Sequence, residues 1–139
     1  MTTVYTIGYG GRKPEELIQQ LKEKGIEAVV DVRLRPDRAS LGIYAKAKDP
    51  AKGIEGLFAK ANIAYHSLVE LGNLFQNYDD WNERYTQLLS LAGDLLTRRL
   101  KEISTSYCLL CAEKSADQCH RKIIADYLAK KGFQIEHIE

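Results

Sequence analysis

Residues 25–33 read GIEAVVDVR, and this stretch decides the fold class. Its centre, Ala28-Val29-Val30, is a continuous apolar run. Such a run predicts a strand that is buried on both faces, as in a parallel sheet covered by helices. We predict this strand over residues 26–32, directly after the glycine that ends the preceding helix.

Outward from this strand, strand and helix patterns alternate along the whole chain. Four further strands are predicted, at residues 4–7, 64–68, 106–113 and 133–138. Helices are predicted from Pro14 to Gly25, around residues 57–61, from Asp80 with Gly93 as a candidate break, and from Ser115 to Gly132. The alternation predicts an α/β fold: a single open, mostly parallel, Rossmann-like sheet of about five strands with helices on both faces. We expect residues 1–139 to form one domain.

One segment interrupts the alternation. Residues 33–56 contain Pro36 and Pro50, together with five lysines or arginines from Arg35 to Lys52. We predict an irregular loop here. A loop of this length in a small domain is usually a functional lid or a mobile segment.

The composition limits the classes of function. The chain has 139 residues, of which 45% are hydrophobic and 28% charged, as expected for a soluble globular domain. A net charge of +1 argues against a broad nucleic-acid surface but allows a small site for an anionic or phosphorylated ligand. No apolar run approaches the ~20 residues of a membrane span. The first residues, MTTVYTIGYG, resemble a strand rather than a signal peptide, and the three cysteines are expected to be reduced, so we predict a cytoplasmic protein.

Polar residues follow the predicted strands at their carboxyl ends, where parallel sheets bind ligands. Asp31, Arg33 and Arg35 alternate, so an extended chain would point all three to one face. They could hold a phosphate or carboxylate through forked hydrogen bonds, or Asp31 could pair internally with an arginine and fix the loop. Both interpretations stay open for Asp31, whereas ligand binding is favoured for Arg33. His66, at the end of the third strand, is a further candidate.

The densest group of reactive side chains lies in residues 111–121, which read CAEKSADQCHR. A helix beginning at Ser115 would present free N–H groups, which lower the pKa of a nearby thiol or bind a phosphate beside Arg121. We expect Cys111, at the strand end, to be the more reactive thiol, because Cys119 shares a predicted helix face with apolar residues.

Cys108 and Cys111 have a CxxC spacing, which is common in metal and disulfide sites. Residues three apart on a strand point to opposite faces, so these two side chains are not expected to converge. The remaining cysteine and histidine do not complete a four-ligand zinc pattern. We therefore predict no disulfide and no metal site.

Four motifs occur in order: Thr6-Ile7-Gly8; Asp31-Val32-Arg33 with Pro36; His66 with Leu71-Gly72; and Cys111-Ala112-Glu113 with Cys119-His120-Arg121. This set resembles the DUF488 family, whose members carry TIG, DVR…P, H…LG and CxE…CHR motifs. The resemblance implies an α/β fold and a site near these residues, and it implies no particular reaction. The chain departs from the family pattern at Tyr9-Gly10, where many members have His-Ser, and over residues 37–44.

Three hypotheses for function come from different classes. The chain is an enzyme that acts on a phosphorylated or nucleotide-like substrate, or a non-catalytic module that binds a nucleotide or a nucleic-acid end, or its polar residues are purely structural. We favour the enzyme, because titratable groups of several types are expected to converge. The predicted catalytic residues are Cys111, Glu113 and His120, and the predicted substrate-binding residues are Gly8, Asp31, Arg33, Arg35, His66, Cys119 and Arg121. The sequence assigns no cofactor and no oligomeric state.

Overall fold

The computed structural model describes residues 3–139, which form four α-helices packed on a five-stranded sheet. The strands are β1 (Thr3–Gly8), β2 (Ala28–Asp31), β3 (Ala64–Ser67), β4 (Tyr107–Cys111) and β5 (Gln134–Ile138). The α-helices are α1 (Pro14–Glu23), α2 (Gly53–Lys60), α3 (Trp81–Leu96) and α4 (Arg121–Lys130). Short 3-10 helices occupy Gly42–Tyr44, Val69–Leu71, Arg98–Glu102 and Ala116–Gln118. None of the described helices combines the length and apolar character that a membrane crossing requires.

The sheet is open and its five strands run parallel, in the order β3-β2-β4-β1-β5. The predicted α/β fold is thereby confirmed. Parallel strands need crossover connections, and each crossover here contains one α-helix. The register places the carboxyl ends of three strands side by side, because Gly8 pairs with Cys111 and Asp31 pairs with Leu110.

The helices cover both faces of the sheet. Helices α1 and α2 pack on one face, where Phe58 is fully buried, and α3 and α4 pack on the other, where Ile124 is fully buried. Side chains along β4 alternate between these two cores, with Cys108 in the first and Cys111 in the second. The expected divergence of these two thiols is therefore what the structure shows.

The connections create a crevice at the carboxyl end of β4. The chain leaves β1 and β2 toward the face covered by α1 and α2, whereas it leaves β4 toward α4 on the opposite face. Neighbouring loops therefore diverge on both sides of β4. Such a switch point is where open parallel sheets bind ligands.

The predicted helix start at Ser115 is wrong. Ser115 and Gln118 enclose only one 3-10 turn, in which the Gln118 N–H donates to the Ser115 carbonyl at 3.2 Å. Cys119 is extended, with φ −133° and ψ 143°, so the turn ends there and α4 begins at Arg121. Cys119 and His120 consequently lie in a turn before the helix.

Two other helix boundaries differ from the prediction. Helix α2 begins at Gly53 rather than near Leu57, which shortens the irregular segment. Gly93 does not break α3, which is continuous through it. A Cβ at Gly93 would lie 2.4 Å from Cε1 of Tyr127, so this glycine permits the close packing of α3 on α4.

The strand β2 ends at Asp31, and Arg33 and Arg35 belong to the loop that follows. The strand is therefore too short to impose the alternation expected for the three residues. Arg33 turns back onto Asp31, whereas Arg35 points outward and is exposed.

Candidate functional site

A cleft of about 280 Å³ opens at the carboxyl ends of β1, β2 and β4. The exposed part of its lining contains Arg35, Arg38 and Glu113, and the buried part contains Arg33, Cys111 and His120. The other polar side chains that line it are Tyr9, Asn73, Gln76 and Gln118. The structure thus brings five predicted site residues into one cleft: Arg33, Arg35, Cys111, Glu113 and His120.

Asp31 lies behind this lining and forms a buried ion pair with Arg33. Nε and Nη2 of Arg33 donate to the two carboxylate oxygens of Asp31, at 2.8 and 2.6 Å. The Tyr65 hydroxyl donates to the same carboxylate at 2.5 Å, and Nη1 of Arg33 donates to the Tyr9 hydroxyl at 3.1 Å. Asp31 is therefore engaged by internal partners, as in the structural interpretation that the sequence left open.

The surroundings raise the pKa of both Tyr65 and Arg33. Burial raises the pKa of Tyr65, and the negative charge of Asp31 raises it further. Burial alone would lower the pKa of Arg33, but its bonds to Asp31 and its contact with Tyr9 raise this pKa overall. At physiological pH the guanidinium stays charged and the Tyr65 phenol stays a hydrogen-bond donor.

The exposed arginine Arg35 is held only loosely. Its Nε and Nη2 both lie 3.2 Å from carboxylate oxygens of Asp37, and both side chains are more than half exposed. Solvent screens an exposed pair of this kind, so Asp37 can be exchanged for a ligand anion at little cost. Arg38, also exposed, lines the same cleft.

Cys111, Cys119 and His120 form a buried cluster beneath the cleft, with exposed fractions of 4%, 3% and 5%. One potential ligand atom from each residue, two Sγ and one ring nitrogen, lie within 4.8 Å of one another. Cys119 Sγ is 3.7 Å from Nδ1 of His120 and accepts the backbone N–H of Arg121 at 3.4 Å. Nε2 of His120 lies 2.8 Å from the Val32 carbonyl oxygen. Because a carbonyl only accepts, this nitrogen carries a proton and the ring is fixed.

The two thiols of the cluster differ in acidity. Hydrogen bonding with Cys111 and contact with His120 lower the pKa of Cys119. The same interaction with Cys119, together with burial, raises the pKa of Cys111. Burial opposes protonation of His120, but its contact with Cys119 raises its pKa overall. These directions favour Cys119 as the thiolate, whereas the sequence pattern favoured Cys111.

Glu113 stands where the cluster meets the cleft. Cys111 Sγ donates to Oε2 of Glu113 at 3.3 Å. Partial desolvation of its carboxyl group raises the pKa of Glu113, and the charge of Cys119 raises it further. A carboxyl group with a raised pKa at the edge of a cleft is a candidate acid–base group.

Gly8 and Arg121 support the cleft from behind. Arg121 is fully buried, and its guanidinium donates to the carbonyls of Glu113 at 2.6 Å and Lys114 at 3.1 Å. A Cβ on Gly8 would lie 1.7 Å from the Glu113 carbonyl oxygen. Both residues therefore fix the loop that carries Glu113, and neither lines the cleft.

The structure does not bring His66 into the cleft. His66 lies on β3, partly buried, and pairs in register with Val30 of β2. Strand β3 is at the edge of the sheet, with β2 between it and β4. His66 therefore stays outside the group that surrounds Cys111.

Sequence reasoning missed several residues of the lining. Tyr9 directly follows β1, so the strand-end rule that selected Gly8 could have found it. Asn73 directly follows the Leu71-Gly72 motif and could have been found by its position. No sequence signal places three further polar residues of the lining: Arg38 and Gln76 come from irregular segments, and Gln118 ends the 3-10 turn after β4.

A larger cavity of about 780 Å³ lies at the opposite edge of the sheet, near the amino ends of β1 and β4. Its lining is mainly apolar and includes Tyr107, Leu128 and Phe133. The acidic residue there, Asp94, is paired with Lys131 at 3.0 Å, and no cysteine or histidine lines the cavity. Its chemistry makes it the weaker candidate despite its greater volume.

The fold and the cleft define a class of protein: an open parallel α/β domain with a site of arginine, thiol and acid–base side chains at its switch point. The model of a family described as "Domain of unknown function DUF488" matches residues 13–128, and the chain belongs to this family. The matched range includes Arg33, Cys111 and His120, whereas β1 and β5 lie outside it. Comparisons with curated proteins and with solved structures found no match.

Proposed function

We propose that the chain is an enzyme that acts on a small phosphorylated, nucleotide-like substrate bound in the cleft. One observation carries this proposal: exposed Arg35, Arg38 and Glu113 share the cleft with the buried side chains of Cys111 and His120. Groups that bind anions and groups that move protons are thus within reach of one small molecule.

In this proposal the exposed arginines bind the anion. Arg33 already gives two donors to Asp31 and one to Tyr9, so it supplies a fixed positive charge at the wall. Arg35 can exchange Asp37 for a phosphate, and Arg38 lines the same cleft. A guanidinium matches phosphate oxygens through forked hydrogen bonds. The cleft volume, about 280 Å³, suits a phosphate-bearing group better than a whole dinucleotide.

Glu113 is the proposed acid–base residue. Its side chain lines the cleft, and its Oε2 lies 3.3 Å from Cys111 Sγ, so it stands between solvent and the buried cluster. A substrate held by Arg35 and Arg38 would place its reacting group near this carboxylate. Arg121 and Gly8 are positioning residues, since they hold the backbone of Glu113 in place.

Replacing Arg35 and Arg38 together by alanine is expected to weaken nucleotide binding by at least about 10-fold, because the phosphate loses the forked hydrogen bonds of two guanidiniums. The measurement is calorimetric titration with inorganic phosphate and the common nucleoside monophosphates. The matched control is Arg84→Ala with Arg98→Ala, two exposed arginines outside the cleft. Arg84 pairs with Asp80 as Arg35 pairs with Asp37. Equal loss in the control, or no binding by the unaltered protein at millimolar ligand, would contradict the proposal.

Glu113→Gln is expected to keep ligand binding and to lose product formation by about 10²–10⁴-fold, because glutamine retains the shape but cannot transfer a proton. Product formation is followed by ³¹P NMR on nucleoside mono-, di- and triphosphates. Tight binding by the unaltered protein without any product would favour the non-catalytic binding module instead.

A further inference from the structure

We propose that Cys111, Cys119 and His120 bind a thiolate-preferring divalent transition metal ion, with zinc as the probe. The ion would sit beneath the cleft, with its fourth coordination position open to it. This inference goes beyond the proposed substrate, since it rests on the positions of three ligand atoms and not on anion binding. It also opposes the expectation from sequence spacing that the chain holds no metal.

The distance between Cys119 Sγ and Nδ1 of His120 fits tetrahedral coordination. The three candidate ligand atoms lie within 4.8 Å of one another, and Cys119 Sγ is 3.7 Å from Nδ1 of His120. Bonds of about 2.3 Å to sulfur and about 2.0 Å to nitrogen, at a tetrahedral angle, would place these two atoms about 3.5 Å apart. Cys119 and His120 therefore need little movement to share one ion.

Neighbouring hydrogen bonds orient His120 and Cys119 in a way that suits metal binding. Nε2 of His120 is 2.8 Å from the Val32 carbonyl oxygen, so Nδ1 is the nitrogen left for an ion. A metal-binding histidine almost always has its other ring nitrogen held by such a partner. The backbone N–H of Arg121 donates to Cys119 Sγ at 3.4 Å and holds the sulfur in place.

The three ligands lie at the end of β4 and in the short turn that leads into α4. Cys111 is the last residue of β4 and pairs in register with Gly8 of β1. Cys119 and His120 lie in the turn just before α4, and all three side chains are buried. A metal ion would therefore meet a largely formed site. Its two soft thiolate ligands favour zinc-like ions over magnesium or calcium.

Three protein ligands leave a fourth position, which is the pattern of catalytic rather than structural zinc sites. Cys111 and His120 line the cleft, so the open position would face it. Glu113, whose Oε2 lies 3.3 Å from Cys111 Sγ, stands beside that position and could exchange a proton with a metal-bound water. Binding releases two protons to solvent, one from the Cys111 thiol and one from the Cys119–His120 pair, so that both sulfurs coordinate as thiolates and Nδ1 of His120 coordinates without a proton.

The experiment is zinc titration of the full chain, kept reduced with a phosphine, with mass-spectrometric metal analysis and competition against a chromophoric chelator. We expect one zinc per chain, and we expect Cys119→Ser to weaken binding by more than about 100-fold, since even partners of a ligand contribute 10- to 100-fold. Cys108→Ala is the matched control, because Cys108 is buried in the core on the other face of the sheet. It should bind zinc like the unaltered chain.

A second measurement needs no variant. Cobalt bound to the unaltered chain is expected to show tetrahedral ligand-field bands and sulfur-to-metal charge transfer. The proposal is overturned by absence of zinc from the reduced chain, by unchanged affinity in Cys119→Ser, or by a cobalt spectrum of six oxygen or nitrogen ligands. A Cys111–Cys119 disulfide that persists under reductant would overturn it as well. Because no phosphate is added, the outcome is independent of the anion-binding test.

Discussion

Replacing Asp31 by asparagine is expected to lower the free energy of unfolding by about 3–5 kcal/mol, as when one partner of a buried ion pair is removed. Asparagine keeps the shape of the side chain but removes its charge. Arg33, only 5% exposed, is then left as a buried guanidinium without a counter-charge. Tyr65 also loses the charged acceptor of its 2.5 Å hydrogen bond. Urea denaturation followed by circular dichroism gives the change in stability.

Two further variants separate charge from shape. Tyr65→Phe removes one hydrogen bond to Asp31 and should destabilise by about 1–3 kcal/mol. Asp31→Leu combined with Arg33→Met removes both charges and should recover most of the stability lost in Asp31→Asn. A loss below about 1 kcal/mol in Asp31→Asn would be the behaviour of an exposed pair and would contradict the buried network.

Gly8→Ala is expected to destabilise the protein by at least about 3 kcal/mol, at the upper end of what overpacking costs. The added Cβ would lie 1.7 Å from the carbonyl oxygen of Glu113, which is backbone and cannot rotate away. Relief requires movement of the Glu113 loop, which would break the 2.6 Å hydrogen bond from Arg121. Denaturation measures the stability.

The control for this substitution is Gly42→Ala. Gly42 is exposed, and a Cβ there would meet no atom within 4 Å. Its stability should change by less than about 0.5 kcal/mol. If Gly8→Ala were as mild as Gly42→Ala, the close approach of β1 to the Glu113 loop would be refuted.

The sheet could be predicted because its strands have local signals. The run Ala28-Val29-Val30 is apolar throughout since β2 is buried on both faces, and that burial is a property of the parallel sheet itself. Pro14 marked the start of α1 correctly, because a proline fits the first helical position. The strand order could not be read from the sequence, since it depends on packing between segments far apart in the chain.

The predicted helix start at Ser115 was wrong because a local capping motif competed with tertiary contacts. Ser115 and Gln118 have the spacing of a capping box, yet the extended conformation of Cys119 ends the turn after Gln118. That conformation places Cys119 Sγ beside His120 and under the Arg121 N–H. A pattern of side-chain types cannot show that one residue within it is extended and ends the helical turn.

The site could be predicted where strand ends carry it. Cys111 and Arg33 were selected by their position after buried strands, and both line the cleft. Arg121 was expected to bind the substrate, but it is fully buried against the carbonyls of Glu113 and Lys114. The motif shows that an arginine is present at position 121. Only the path of the loop through Glu113 and Lys114 shows that its guanidinium points inward. The path of the chain likewise places Arg38, which reaches the cleft from the long loop.

An amide NMR titration with a nucleoside monophosphate tests most directly whether the cleft binds a phosphorylated ligand. We expect the largest shift changes at the backbone amides around Arg33, Arg38, Cys111 and His120, all in the lining of the cleft. In the Arg35→Ala, Arg38→Ala double variant these changes should need at least about 10-fold more ligand. Changes concentrated around Tyr107 and Phe133, in the larger cavity at the opposite edge of the sheet, would contradict the assignment. So would the absence of any saturable change at millimolar ligand.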